Sequence, residues 1–105
     1  MKVKEADVQR AIINYLQMCP AVAKAWRNNA GKIKTADDRL VQLAPAGTSD
    51  IIGFLKDGRF LAVEVKAGKN TPTQLQQEFI DSVNEAGGLG FVAWSVDDCI
   101  EVLGL

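Results

Sequence analysis

A small α/β domain with a mixed sheet is the fold class that the sequence predicts, and three observations indicate it. Two β-rich runs, residues 50–55 and 60–66, surround an Asp-Gly pair, which is typical of a β-hairpin. Apolar residues recur at helical spacing before and after these runs. A further short apolar run at 89–95 is typical of a buried strand. We therefore predict a central β-hairpin flanked by helices.

The remaining elements follow from local signals. A first helix is predicted from Lys4 to about Cys19, because apolar positions keep a helical stripe and Pro20 then ends it. The type of the segment 21–26 stays open. From about 31 to 47 the chain is polar and basic, and we expect a mobile loop there.

The second half of the chain continues with a helix, a strand and a final short helix. Thr71-Pro72-Thr73 offers a helix start, and the apolar stripe that follows runs to Gly87-Gly88. The buried strand comes next, and Ser95 then begins one or two helical turns.

The hairpin register decides whether two acidic residues share a face of the sheet. A three-residue turn, with Gly58 in the left-handed conformation of a bulge, would place Asp50 opposite Glu64. A two-residue turn would pair Asp50 with Val65 and send the two acids to opposite faces. A shared site of Asp50 and Glu64 therefore predicts the three-residue turn or an extra bulge nearby.

Composition limits the kinds of function. The chain has 105 residues, of which 48% are hydrophobic and 24% charged, so we predict one compact domain over 1–105. It contains no histidine, which excludes Ser-His-Asp and Cys-His catalysis and the HExxH zinc enzymes. A net charge of -1 means that DNA binding would depend on local basic patches and bound cations.

Several other expectations concern location and the less common residues. No apolar run is long enough to span a bilayer and no signal peptide is visible, so we expect a cytoplasmic protein, bacterial or in a phage-infected host, without a membrane partner. Cys19 and Cys99 are expected to be reduced and partly buried. Trp26 and Trp94 are expected to belong to the core rather than to stack on bases.

Asp50, Glu64 and Lys66 form the constellation that carries chemistry. Glu64 and Lys66 are two residues apart on one strand, so their side chains point to the same face. Two opposed carboxylates repel each other, and a divalent cation such as Mg²⁺ resolves that conflict. The alternative is a solvated acid-x-lysine pair on an edge strand, which has no function.

Five short segments, spread over nearly the whole chain, carry a family resemblance: Glu5–Gln9, Trp26–Gly31, Gly47–Gly53, Val63–Lys66 and Thr73–Gln76. As an ordered set they resemble the virus-type replication-repair nuclease domain, VRR-NUC, of the PD-(D/E)XK nuclease superfamily. The resemblance implies a restriction-endonuclease-like core and a DNA endonuclease that depends on Mg²⁺ or Mn²⁺. Ser49 departs from the family, which usually has proline there, and this should affect rigidity more than chemistry.

The resemblance also assigns roles to residues. It implies that Glu5, Asp50, Glu64 and the backbone carbonyl of Val65 bind the metal. Asp50 and Glu64 are thereby catalytic, Lys66 is the catalytic lysine, and Gln76 supports the site. Without the resemblance, Glu5 would be interpreted as an acid favoured at a helix start, and Gln76 as an ordinary helix-surface residue.

Partners follow from the same hypothesis. Basic side chains are expected to contact DNA phosphates, namely Arg27, Lys32, Lys34, Arg39 and Lys69. By resemblance the substrate is branched, flapped or junction DNA, and a homodimer would present two active sites to it. Two alternatives remain: a catalytically inactive DNA-binding accessory module of the same fold, and a structural or interaction domain whose acids have no function.

Overall fold

Three helices and six strands make up the part of the chain that the structure describes. The structure is a computed structural model, and it describes residues 3–28, 32–42 and 44–105, without the side chains of 32, 33, 41 and 42. The helices are α1 (Glu5–Met18), α2 (Gln74–Glu85) and α3 (Val96–Leu103). The strands are β1 (Val22–Arg27), β2 (Lys32–Lys34), β3 (Leu40–Gln42), β4 (Ile51–Leu55), β5 (Phe60–Val65) and β6 (Leu89–Ala93).

A four-stranded sheet in the order β1-β4-β5-β6 forms the centre of the fold. The β1–β4 and β4–β5 pairs are antiparallel, and β5 and β6 are parallel. Helix α1 packs on β1 and β5 and also contacts α3, whereas α2 packs on β5 and β6. The predicted α/β class, with a mixed sheet and a central hairpin flanked by helices, is confirmed.

Strand β5 is an interior strand that is covered on both faces. Val63 and Val65 lie in the core cluster that contains Ile12 of α1. Ala62, on the opposite face, packs with Ile80 of α2. The edge-strand alternative for Glu64 is therefore wrong, because a residue of this strand cannot reach bulk water from the sheet edge.

The hairpin has the three-residue turn on which the shared site depends. The Leu55 amide donates to the Arg59 carbonyl oxygen at 2.9 Å, and Gly58 has a φ of 91°. Ile51 pairs with Val63, and one further step of this register places Asp50 opposite Glu64. The register prediction is confirmed.

Two segments differ from the sequence-based description. The segment 21–26, for which the sequence predicted no element type, lies largely in β1. Its strand conformation depends on hydrogen bonds to β4, which the residues of the segment do not predict. The expected loop at 31–47 contains the antiparallel ribbon β2–β3, closed by a turn in which the Thr35 amide donates to the Arg39 carbonyl oxygen at 2.8 Å. Strands of three residues are too short to show an alternating pattern.

The cysteines are free and buried, as expected, but the tryptophans are not core residues. Trp26 is 46% exposed and Trp94 is 38% exposed. Trp26 lies on the β1 side of the sheet, which α2 leaves open because it packs on β5 and β6. Trp94 lies just past the end of β6. Within the described ranges, no helix combines the length and the apolar character needed to cross a bilayer.

Candidate active site

Asp50 and Glu64 meet at the end of the central hairpin. Asp50 directly precedes β4, and its Oδ2 accepts a hydrogen bond from the Val65 amide at 2.9 Å. Its own carbonyl oxygen accepts from the Asn28 amide at 2.7 Å. These two bonds fix Asp50 between β1 and β5, so its carboxylate is held beside the carboxyl end of β5.

Glu64 is buried without full satisfaction of its polar atoms. Its side chain is 1% exposed, and its Oε1 has no hydrogen-bond partner among the residues that the structure describes. Leaving a buried acceptor unpaired costs about 1–3 kcal/mol, and more when the group is charged. Most buried polar atoms in native proteins are hydrogen-bonded, so this unpaired oxygen calls for an explanation.

The close approach of Asp50 and Glu64 changes the pKa of the Glu64 carboxyl. The pKa of the Glu64 carboxyl is raised from its ordinary 4.5 to about 8, and burial is the largest cause. The neighbouring Asp50 carboxylate contributes to this rise as a hydrogen-bond partner and as a like charge, and Glu5 adds a smaller repulsion. The Lys66 ammonium acts in the opposite direction. The protein without a cation therefore keeps a proton at this site at neutral pH.

Lys66 completes the centre of the site. Its Nζ lies 3.8 Å from Glu64 Oε2, and its side chain is only 13% exposed. The Lys66 amide donates to the Ala93 carbonyl oxygen at 3.0 Å, so the parallel pairing with β6 continues to this residue. An ammonium is thus held close to the acid pair and largely away from solvent.

Glu5 lies in the first turn of α1, and its charge acts on Glu64. Across the described part of the chain, no three or more acidic or cysteine side chains are grouped closely enough to hold a metal ion by themselves. Any cation here would depend on Asp50 and Glu64, with backbone, solvent or substrate oxygens filling the other positions. Mg²⁺ is commonly held in that way, by one or two carboxylates.

Gln76 lies at the start of α2, close to the turn that leads to Asp50. Its Oε1 accepts from the Thr73 amide at 2.8 Å, and its own amide donates to Thr73 Oγ1 at 3.2 Å, which forms a capping box. Gly47, with a φ of 84°, packs so tightly on this helix start that an added Cβ would lie 2.3 Å from the Leu75 carbonyl oxygen. The contact couples the position of α2 to the segment before Asp50.

The basic residues lie in three different places. Arg27 ends β1, and Lys69 is exposed in the segment after β5. Lys34 and Arg39 belong to the β2–β3 ribbon, where they pair with Asp38 at 3.1 Å and with Asp37 at 3.3 Å. The side chain of Lys32 lies outside the described residues.

Two polar residues next to Asp50 were not predicted to take part in the site. Asn28 holds the segment before β4, since its Nδ2 donates to the Ser49 carbonyl oxygen at 3.4 Å in addition to its backbone bond to Asp50. The Ser49 side chain is fully buried, and its Oγ lacks a hydrogen-bond partner within the described ranges. Asn28 could have been found from its place in Trp26–Gly31, one of the segments that carry the family resemblance. Its contact with Asp50, however, depends on the pairing of β1 with β4.

Comparison with known proteins identifies the fold. A solved structure described as a VRR_NUC domain protein is similar over 97% of this chain and 86% of that chain, with a TM-score of 0.61 and 20% sequence identity. No protein-family model matches the sequence, and no curated protein matches it. The chain therefore has the fold of a VRR_NUC domain, as the sequence resemblance implied.

Proposed function

We propose that this chain, which has a VRR_NUC-type fold, is a metal-dependent DNA endonuclease that hydrolyses phosphodiester bonds at Asp50, Glu64 and Lys66. The observation that carries the proposal is the Glu64 carboxylate, buried at 1% exposure with one oxygen unpaired, opposite a second acid and 3.8 Å from an ammonium. An acid with no function would be expected on the protein surface, whereas Glu64 lies on β5, an interior strand of the sheet. Perturbed acids of this kind cluster at functional sites.

The donor set fits a divalent cation. Asp50, Glu64 and the backbone carbonyl of Val65 would hold Mg²⁺ or Mn²⁺, with oxygen ligands as hard cations prefer. The resemblance adds Glu5, whose side chain is not grouped with the other two acids in the described residues. Two positive charges would take the place of the proton that Glu64 keeps at neutral pH. When bound, such a cation supplies charge for the scissile phosphate and lowers the pKa of water.

Asp50, Lys66 and Gln76 would each have a separate role in the reaction. Asp50 is locked by the Val65 amide, so its carboxylate needs little rearrangement to act as a ligand. The Lys66 ammonium is held near Glu64, where it can orient a water or stabilise the negative charge that develops on the phosphate. Gln76 anchors the start of α2 through its amide oxygen and retains its amide nitrogen as a donor.

The first experiment measures cleavage of labelled duplex, flap and four-way junction DNA with Mg²⁺, with Mn²⁺ and with chelator. We expect cleavage with a divalent cation, none with chelator, and loss of cleavage in Asp50→Asn and in Lys66→Ala. Lys56→Ala is the matched control, because this exposed lysine lies in the turn at the opposite end of the hairpin. Cleavage that survives Lys66→Ala would contradict the proposal.

The inactive DNA-binding module is the second candidate, and one observation favours it. In the described residues no third acidic side chain joins Asp50 and Glu64 closely enough to make a protein-only metal site. That candidate predicts DNA binding without turnover in either metal, and an affinity that Lys66→Ala does not change. The cleavage and binding assays together separate the two.

DNA would be held by Arg27, Lys32, Lys34, Arg39 and Lys69. The ion pairs of Lys34 and Arg39 are exposed, and such pairs contribute only about 0–1 kcal/mol, so exchanging a carboxylate for a DNA phosphate costs little. Removal of one phosphate-contacting lysine should weaken binding to all sequences and lower the salt dependence of binding by about one ion.

Preference for branched or junction DNA belongs to this proposal, together with a homodimer. Each chain carries the Asp50–Glu64 pair once, and cutting both strands of a junction in one encounter requires two such sites. We expect a dimer in light scattering at assay concentration and paired cuts in a junction. A monodisperse monomer at that concentration would contradict the dimer. The expected cytoplasmic location stays a prediction.

A further inference from the structure

Trp94 is a large aromatic residue that the fold leaves partly uncovered next to the candidate active site. It is the first residue after β6, and 38% of it is exposed. A large aromatic side chain is usually mostly buried, so the exposed part of Trp94 leaves apolar surface in contact with water. Its place relative to Lys66 indicates what that surface could contact.

The parallel pairing of β5 with β6 sets the position of Trp94. Val65 pairs with Ala93, and the Lys66 amide donates to the Ala93 carbonyl oxygen at 3.0 Å. The next row of the sheet therefore places Trp94 beside Lys66. Neighbouring strands are about 4.8 Å apart, so the two backbones are separated by roughly one strand spacing.

Strand alternation, continued one residue past the end of β6, places Trp94 on the face of the sheet that carries the acid pair. Val92 pairs with Glu64, and Val92 packs against the cluster that contains Ala62 and α2. Side chains two residues apart on a strand share a face, so Trp94 follows Val92 on the face that carries Glu64. The carboxylate, the ammonium and the indole thus line one side of the sheet at its carboxyl end.

Trp94 is also fixed by hydrogen bonds at two points. Its backbone amide donates to Asp98 Oδ2 at 2.8 Å, which ties it to the first turn of α3. Its indole Nε1 donates to the Asn70 carbonyl oxygen at 2.7 Å, in the segment that leaves Lys66. With the one polar atom of the ring satisfied, the exposed remainder is a π surface held in place before any ligand arrives.

We propose that Trp94 is a stacking platform for an unpaired nucleobase of the DNA substrate, a role that rests on the proposed nuclease function and extends it to substrate choice. Aromatic faces stack on any base, and an adjacent ammonium neutralises the phosphates of the same strand. Lys66 and the exposed Lys69 supply positive charge in the segment that leads to Asn70, the residue that the indole contacts. The combination fits a single strand rather than a second protein.

The stacking platform specifies where the substrate must be unpaired. Successive nucleotides of one DNA strand lie about 3.4 Å apart along the helix axis, so a base above Trp94 belongs to a nucleotide within one or two steps of the scissile phosphate. Inside a continuous duplex both faces of that base are already stacked. The substrate class is therefore DNA with an unpaired or flipped nucleotide next to the cleavage site, as in a flap, a gap or a branch point.

Fluorescence tests the contact without any need for turnover. Trp26→Phe leaves Trp94 as the sole tryptophan, and Trp94→Phe leaves Trp26, which is 46% exposed on β1 at the far side of the same sheet. In chelator, oligodeoxythymidine should quench the emission of the Trp26→Phe protein. It should leave the Trp94→Phe protein nearly unchanged. Quenching that follows Trp26 instead would overturn the proposal.

Binding measurements give the magnitude. We expect Trp94→Ala to bind single-stranded and flap DNA roughly 5- to 150-fold more weakly, and blunt duplex nearly as well as the wild type does. Trp94→Phe, which keeps a ring, should recover most of the affinity, and Trp26→Ala serves as the matched control. Thermal melts of each variant establish that it is folded.

The outcomes separate this proposal from the proposed catalysis. An equal loss of affinity for duplex and flap DNA, or no loss for either, would overturn the stacking role even if the enzyme cleaves DNA. Quenching with selective loss of flap binding would support it even if no metal produces cleavage.

Discussion

Replacing Glu64 by glutamine should make the protein less sensitive to pH, because it removes the carboxyl whose titration the fold perturbs. The wild-type side chain is buried beside Asp50, and its pKa is raised from 4.5 to about 8. A carboxyl with a raised pKa binds a proton more tightly in the folded protein than in the unfolded chain. Its contribution to stability is therefore complete below about pH 4.5 and is lost as the pH rises towards 8.

The size of the effect follows from the same shift. Where the folded protein holds one proton more than the unfolded chain, stability falls by about 1.4 kcal/mol for each pH unit. The loss between pH 5 and pH 7 is thus on the order of 3 kcal/mol. For a domain of this size 1 kcal/mol corresponds to roughly 4 °C, so the melting temperature should fall by about 10 °C. Glutamine has a similar shape and no charge, so Glu64→Gln should lack this decline.

The assay is a series of thermal melts of both proteins between pH 5 and pH 8.5 in chelator. Burial raises the pKa of the Cys99 thiol to about 12, so that group stays protonated throughout this range. The difference between the two curves isolates Glu64, because the other groups titrate in both proteins. With Mg²⁺ or Mn²⁺ present, the wild type should gain stability, and more at pH 8 than at pH 6, since a ligand carboxylate must lose its proton.

Two results would refute the reasoning. Parallel curves for wild type and Glu64→Gln would mean that Glu64 is ionised and solvated like an ordinary surface acid. Equal stabilisation of both proteins by the cation would mean that the cation binds elsewhere.

The remaining predictions concern the Lys66 ammonium, the close contact of Gly47 with α2, and the Thr73 cap of α2. Lys66→Met should extend the decline in stability above pH 8, seen in the same melts, because the ammonium no longer favours the Glu64 carboxylate; an unchanged profile would contradict this. Gly47→Ala should cost more than Gly58→Ala in denaturant unfolding. Both residues have positive φ, which costs about 1–3 kcal/mol in a non-glycine residue, but only at Gly47 does the new methyl group meet backbone atoms. Thr73→Ala should lower stability by about 1 kcal/mol through loss of the cap of α2, and Thr73→Ser should restore it.

Much of the site could be predicted because its signals are local. The alternation of β5 brings Glu64 and Lys66 to one face, and a glycine at position 58 favours the turn that brings Asp50 opposite Glu64. The tight turn needs φ of 91° at that glycine, which is a demand of local backbone sterics. These features all lie within one hairpin, whose two strands are joined by a three-residue turn.

The sequence-based predictions were wrong or incomplete where contacts between distant parts of the chain determine the structure. Strand β1 and the ribbon β2–β3 are short, so their hydrogen-bond partners rather than their own residue patterns define them. Trp26 and Trp94 were expected in the core from their residue type. The exposure of Trp26 follows from the position of α2, which covers the β5–β6 side of the sheet. Trp94 lies beyond the last residue of β6, and no local pattern encodes either position.

The sequence by itself determined the fold class and the hairpin register, and it singled out Asp50, Glu64 and Lys66 as candidates, because strand alternation and turn geometry are properties of short stretches of chain. Only the tertiary structure decided that Glu64 is desolvated with an unpaired oxygen, and that an exposed indole is fixed beside Lys66. Burial and neighbouring charge depend on which strands and helices surround a residue. They exist only after strands far apart along the chain have paired.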